Sequence, residues 1–309
     1  TWSRLYAALF YLLTQMARMG SILFLLALPM NLLMGWNIQM VIIITSIAMI
    51  IYSMFGGIRA VIWTEAIQGF VLIGGALLCL GILLFNMPEG PTQTFQIAWN
   101  AVTADGGSKF SLGSMSLTDF STSTFWVCMI YGIFTNLQNY GIDQNYVQRY
   151  HTAKSEKEAK HAALFGGYLY IPVSAVFFLI GTALYAYYQV YPDTSVVTMK
   201  SDYVFPYFIV NQLPVGLKGL LIASVFAAGM STVATSVTSA STVILSDFYL
   251  RIRPKAGDSE KLWILKCGSV LVGTVGILVA LAMMGVDGVL DAWWKLASVF
   301  SGGILGLFL

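Results

Sequence analysis

The chain has 309 residues, of which 58% are hydrophobic and only 10% charged, with a formal net charge of +2. A soluble domain carries about 25% charged residues, so this composition excludes an ordinary water-soluble enzyme and points to a polytopic helical membrane protein. Basic residues do not interleave with aromatics, which leaves no footing for nucleic acid. Cys79, Cys128 and Cys267 stand in apolar stretches at no ligand-like spacing and read as buried thiols rather than disulfide partners or metal ligands. The chain opens at Thr1 and stops at Leu309 inside an apolar run, so residues 1–309 read as a single transmembrane domain truncated at both ends.

About eight apolar segments reach the roughly 17 residues that a bilayer core requires. They are Leu5–Met34, Ile38–Phe55, Ala60–Phe85, Ser123–Val147, Ala162–Tyr187, Val215–Asp247, Leu262–Met284 and Ala292–Leu309. Charge sets their orientation. With the start of the first segment in the cytoplasm, Arg4, Arg59, Arg149, Lys154, Lys157, Lys160, Arg251, Arg253, Lys255, Lys261 and Lys266 all face the cytoplasm. The opposite side holds only Lys109, Lys200, Lys218 and Lys295, and the asymmetry follows the positive-inside rule.

In the first segment, Arg18 lies several turns from either end. A mid-membrane arginine is costly and usually faces a partner or a water-filled cavity. Its planar fork suits a carboxylate or a vicinal oxygen pair. The structural alternative is a pairing with Glu65 or Asp143, or snorkelling towards the surface. Between the second and third segments, Gly56-Gly57 reads as a tight turn. Glu65 follows in GGIRAVIWTEAIQG, where it could bind a cation, relay a proton, or cap the helix N-terminus after Gly56-Gly57, where the macrodipole favours an acid.

The fourth segment is polar after Phe134, reading TNLQNYGIDQNYVQRY, with Gly141 a permissive point for a break. Polar backbone at membrane depth survives where it lines a cavity or is buried in protein, and broken helices of this kind carry substrate sites in transporters. The alternative is that Gly141 onward is the cytoplasmic end of the helix, which suits Asp143 to Arg149 better than Asn136 to Asn139. His151 and His161 fall in the charged loop that follows and read as solvated. The sixth segment contains ASVFAAGMSTVATSVTSASTVILS, uncharged yet rich in hydroxyls. Ala228, Ser231, Thr232 and Thr235 fall at i, i+3, i+4 and i+7 and share a helical face. Hydroxyl and carbonyl oxygens are hard neutral ligands suited to sodium. Small residues of this kind also serve as ordinary helix-packing material in membranes. There is no phosphate-binding glycine loop and no nucleophile elbow.

Three stretches, GGIRAVIWTEAIQG, NYGIDQNYVQRYHTAKSEKEAK and ASVFAAGMSTVATSVTSASTVILSDFY, resemble the sodium:solute symporter family, which includes the sodium/glucose, proline and sialic acid symporters. The resemblance implies an all-α membrane bundle of the leucine-transporter type, with five-plus-five inverted repeats, entered here at the third core helix. It implies Na+ at the positions matching Ala228, Ser231 and Thr232, with further ligands on a first core helix outside this chain. Some members bind a second sodium through an aspartate of a WTD motif. Here that acid is Glu65, Thr235 keeps a hydroxyl, and Ala234 replaces a serine. For the substrate, Asn136 matches an asparagine that contacts sugar, and Asn139 and Tyr140 fall at an inner gate, Asn139 departing from the usual aromatic. Arg18 matches the arginine that grips the carboxylate in sialic acid symporters.

The expected function is sodium-coupled symport of a small polar solute, such as a sugar or a sugar acid like sialic acid, across the plasma membrane. The alternatives are uptake of another small carboxylate or an amino acid, or a channel or sensor on the same fold. A membrane-embedded enzyme would need clustered acids, histidines or a cysteine nucleophile, which the segments do not offer. The expected partners are the solute, sodium and the lipid bilayer.

Overall fold

The computed structural model describes residues 2–102, 107–120, 124–286 and 288–307, without the side chains of residues 56–61, 301 and 302. The described residues are helical throughout their ordered elements, with no strand among them. In chain order the helices are α1 (Trp2–Met34), α2 (Ile38–Phe85), α3 (Pro91–Asn100), α4 (Phe125–Gly141), α5 (Gln144–Tyr150) and α6 (Glu156–Val190). They continue as α7 (Thr194–Val197), α8 (Ser201–Gln212), α9 (Val215–Val243), a π-helical turn (Ile244–Tyr249), α10 (Leu250–Ile252), α11 (Asp258–Met283) and α12 (Val289–Gly306). Among the described residues, six spans are long and apolar enough to cross a membrane: Trp2–Met34, Ile38–Phe55, Ile62–Phe85, Glu156–Val190, Val215–Ile252 and Asp258–Met283. The fourth and eighth expected segments form the shorter α4 and α12.

The chain divides into two compact units, one of residues 1–72 and 198–309 and the other of residues 73–197. The first is organised around α1, which packs against α8, α9, α11 and α12. Met19, Leu23, Ala27 and Leu28 of α1 join Val233, Val237 and Ala240 of α9 and Val272 and Ala280 of α11 in one buried cluster. Between helices in lipid there is little hydrophobic driving force, so close van der Waals approach must hold them. Gly20 supplies it: a Cβ there would lie 2.9 Å from the Ala280 backbone nitrogen and closer still to Val279. Gly229 meets Leu26 in the same way on the α9 side.

Helix α1 ends where Gly35 turns into the left-handed region at φ +69, which glycine adopts without a Cβ penalty. Asn31 Nδ2 donates to the Trp36 carbonyl at 2.7 Å, and Asn37 Oδ1 accepts from the Gln39 N–H at 2.8 Å to open α2. The 48 residues of α2 contain two of the membrane spans. Its two limbs fold back on each other, because Tyr52 and Thr64 hydrogen-bond through their hydroxyls. Twelve residues of straight helix would separate them by about 18 Å. The turn expected at Gly56-Gly57 falls between the limbs, on residues whose side chains lie outside the described ones.

In the second unit, α3 packs on α6, and α5 touches both α4 and α6. Lys109 sits over the Tyr185 ring at 4.5 Å. The head of α6 is capped by side chains: the N-cap Ser155 Oγ accepts from the Glu158 N–H at 3.2 Å, and the Glu158 carboxylate reaches back to accept from the Lys154 N–H, one residue before the cap. The charged SEKE stretch is therefore a helix start. Of the three cysteines, which are all free, only Cys79 is buried; Cys128 and Cys267 are exposed on the outer faces of their helices, against the expectation from composition. An apolar helix in lipid need not turn its apolar residues inward, which is why hydropathy misplaces them.

Candidate cation face and substrate residues

Helix α9 presents different faces to its neighbours. Gly229, Val233, Val237 and Ala240 pack into the unit with α1, while Ser224, Thr235 and Thr238 reach α2. Between these contacts lie Ala228, Ser231 and Thr232, all half-buried. The Thr232 hydroxyl donates to the Ala228 carbonyl at 3.1 Å. That bond occupies the hydroxyl proton and leaves its oxygen lone pairs available. The Ser231 hydroxyl has no hydrogen-bond partner among the described residues. The three residues thus keep two hydroxyl oxygens and one carbonyl on a part-buried face, a donor set that fits a hard monovalent cation. No imidazole or thiol joins them, and the described residues hold no cluster of three or more histidines, cysteines and acids.

Thr235 is buried, and its hydroxyl donates to Glu65 on the second limb of α2. Glu65 is half-buried. It therefore meets the hydroxyl helix rather than Arg18. Ala234, one residue before Thr235, offers no side-chain oxygen. The first limb of α2 reaches the same turn of α9: Ser53 Oγ lies 3.1 Å from Thr238 Oγ1 and 3.4 Å from the Ala234 carbonyl. Ser53 and Thr238 were missed in the sequence. The available signal was Ser46 and Ser53, seven apart and so on one face of a mostly apolar helix, where both are buried.

The four substrate candidates divide between the two units. Arg18 belongs to the first, half-buried on α1, with no hydrogen bond or ion pair to any described residue. Its expected structural partners are otherwise engaged: Glu65 with Thr235, and Asp143 in capping α5. Asn136, Asn139 and Tyr140 belong to the second unit, on α4. Asn136 is exposed and donates to the Gly132 carbonyl at 2.8 Å, and Asn139 and Tyr140 are half-buried.

The helix break expected at Gly141 lies one residue further on. Gly141 is the last helical residue, and Ile142 leaves the helix at φ −135. The cause is capping. The N–H groups of Ile142 and Asp143 both turn back to the Gln138 carbonyl, and Asp143 Oδ1 accepts from the Asn145 N–H at 2.7 Å to start α5. The break is held by tyrosines: Tyr150 donates to the Tyr140 carbonyl at 3.1 Å, and the Tyr140 and Tyr146 rings lie 5.0 Å apart. Burial first, and then the neighbouring Tyr140 and Tyr146, push the Tyr150 phenol above its ordinary pKa, so it stays a donor.

The family model described as the sodium:solute symporter family matches residues 2–309. The sodium/sialic acid symporter SiaT of Proteus mirabilis is 33% identical over 99% of this chain and 61% of its own length. The sodium/sialic acid symporter NanT of Aliivibrio fischeri is 30% identical over 99% of this chain and 60% of its own. Human sodium-coupled monocarboxylate transporter 2 is 30% identical over 98% of this chain and 48% of its own. A solved structure of a Na+-coupled sialic acid symporter, described as substrate-bound, outward-open and revealing a novel Na+ site, superposes with a TM-score of 0.86 at 32% identity. It is matched over 99% of this chain and 62% of that one. The chain thus spans between about half and three fifths of the length of these relatives.

Proposed function

Because the chain belongs to the sodium:solute symporter family, matched over residues 2–309, we propose that it carries out sodium-coupled symport of a small organic acid, a sugar acid of the sialic acid type. The observation that carries this reading is the α9 face: Ala228, Ser231 and Thr232 group a carbonyl and two hydroxyl oxygens, and Ser231 has no partner among the described residues. Those three residues hold one sodium. Arg18, with no partner among the described residues, takes the substrate carboxylate. Asn136, Asn139 and Tyr140, in the second unit, are candidates for contact with a polar solute on the family resemblance alone. A second sodium at Glu65 and Thr235 is disfavoured by Ala234, which withdraws an oxygen from that site.

Sodium supplies free energy only through a difference in affinity between conformations. Bound on α9, it favours the outward-open arrangement and raises substrate affinity there. In a bundle of inverted repeats, rocking then exposes the site to the cytoplasm, where both ligands leave. On this reading the chain's role is transport in a multi-pass plasma-membrane protein, with no covalent step required. Similarity to a sodium-coupled monocarboxylate transporter favours one second reading, uptake of a smaller carboxylate through the same arginine.

The test is uptake of labelled sialic acid into proteoliposomes under an inward sodium gradient. Uptake should collapse when choline replaces sodium. Ser231→Ala and Thr232→Ala should each raise the half-saturating sodium concentration by roughly tenfold, the effect of one lost oxygen ligand. Uptake indifferent to sodium would sink the coupling, and an unchanged sodium dependence in both variants would remove α9 from the cation site.

A further inference from the structure

The cytoplasmic turn between α10 and α11 contains features that symport does not use. It follows Arg253 and closes where the Ala256 N–H donates to the Arg253 carbonyl at 3.2 Å. Ile252, Arg253, Pro254, Lys255, Ala256 and Glu260 line a cleft of about 400 Å³ there. The local acids are already engaged. Asp258 pairs with Lys261 at 3.0 Å, and Glu260 accepts from Arg253 at 2.7 Å and from Tyr249. Arg251 and Lys255 are exposed and have no partner among the described residues. Two cations therefore remain where the carboxylates are spent, Lys255 in the lining of the cleft and Arg251 next in the chain to the lining residue Ile252.

Exposed apolar side chains stand on the same two helices, Ile252 in the lining of the cleft and Trp263 in the second turn of α11. Ile252 is 81% exposed and Trp263 is 64% exposed, at the ends of two membrane-spanning helices. Tryptophan at the end of a span belongs to the headgroup level of a bilayer. We propose that this cleft holds the phosphate headgroup of an anionic phospholipid of the cytoplasmic leaflet, with Arg251 and Lys255 on the phosphate and the acyl chains along Ile252 and Trp263. A free phosphate would satisfy the cations and leave the apolar flank unused, so the lipid is the better fit. Clusters of lysine and arginine just cytoplasmic of a membrane helix attract anionic headgroups for the same electrostatic reason. The site needs only the membrane setting of the chain, and it stands whether or not the transported solute is an acid.

Native mass spectrometry of the detergent-solubilised intact protein tests this. Phosphatidylglycerol and phosphatidylcholine of identical acyl chains are offered in equal amounts. Wild type should retain phosphatidylglycerol over phosphatidylcholine by roughly thirtyfold, as two cations near an anionic headgroup imply. The double substitution R251A/K255A, at two exposed positions outside the packing, should abolish that preference. The control K154A/K157A removes the same charge from another cytoplasmic loop and should keep it. Equal retention of the two lipids by wild type overturns the site. So does an equal loss in both double variants, which would mark a response to net charge alone. Displacement of the bound lipid by excess inorganic phosphate would show a soluble-anion site and overturn the lipid assignment. If R251A/K255A does not elute as a single species, R251Q/K255Q, which keeps the side-chain length, carries the same expectation.

Discussion

A guanidinium near the midpoint of a 33-residue apolar helix has to be answered by an anion, by carbonyl dipoles or by water. Arg18 has no answer among the described residues, which leaves it to the solute. Arg18→Lys should already be damaging, because a point charge cannot reproduce the bidentate fork. The loss of a charge-assisted contact, roughly 1.5–3 kcal/mol, weakens apparent affinity by about one to two decades. The loss should be large for sugar acids and small for matched neutral sugars, read by competition against one transported substrate. Equal weakening of both classes would return Arg18 to a structural role. Glu65 makes the contrasting case, since its carboxylate already receives the Thr235 hydroxyl. Glu65→Gln keeps the acceptor oxygen, so uptake should fall only modestly, with a sodium Hill coefficient near one in both proteins. A wild-type coefficient clearly above one that drops in Glu65→Gln would establish a second cation at this pair.

At the scale of elements, the two limbs of α2 carry the most specific expectation. Tyr52 and Thr64 hydrogen-bond although twelve residues apart, and both limbs touch the same turn of α9, through Ser53 and Glu65. Tyr52→Cys/Thr64→Cys should be joined by a short rigid bismaleimide within one chain, seen as a shift in peptide mapping. A straight helix, with about 18 Å between the positions, would not react. The sequence divides this run into two crossings, since it is too long for one, but the tight turn expected at Gly56-Gly57 falls within the single helix Ile38–Phe85, on residues whose side chains lie outside the described ones. The fourth segment was legible only in part. Its polarity announced a break, but glycine drew attention to position 141, whereas the cap that fixes the break is the carboxylate of Asp143. Side-chain capping depends on backbone direction, which composition does not carry. The hydroxyl face of α9 followed from spacing alone. Its contact with Ser53 did not, since that joins residues 185 apart in the chain.

For the whole molecule, hydropathy and charge carry the architecture because lipid forces every backbone group into a helix and basic residues stay in the cytoplasm. They say nothing of which face of a helix meets lipid, and that is why Cys128 and Cys267 were placed inside and are found outside. They also leave the division into two units unread, since α2 runs from one into the other. The orientation itself is testable at two exposed serines. In intact cells a membrane-impermeant maleimide should label Ser195→Cys, beyond the outer end of α6, and leave Ser155→Cys, at its cytoplasmic head, unlabelled until the cells are opened. The reverse pattern would invert the whole topology.

The π-helical turn Ile244–Tyr249 sets one further property of the chain. Such a turn is an α-helix carrying one residue more than its ladder needs. Removing a residue there lets the ladder close as ordinary α-helix while both flanks keep their rotational phase. Upstream, a deletion anywhere between Ala228 and Thr235 would swing every later side chain by about 100° and scatter the oxygen ligands. The cytoplasmic end of this helix is therefore a place where the gene can lose a codon without disturbing the cation face. Length variation among homologous sequences should gather at this turn and avoid the hydroxyl stretch.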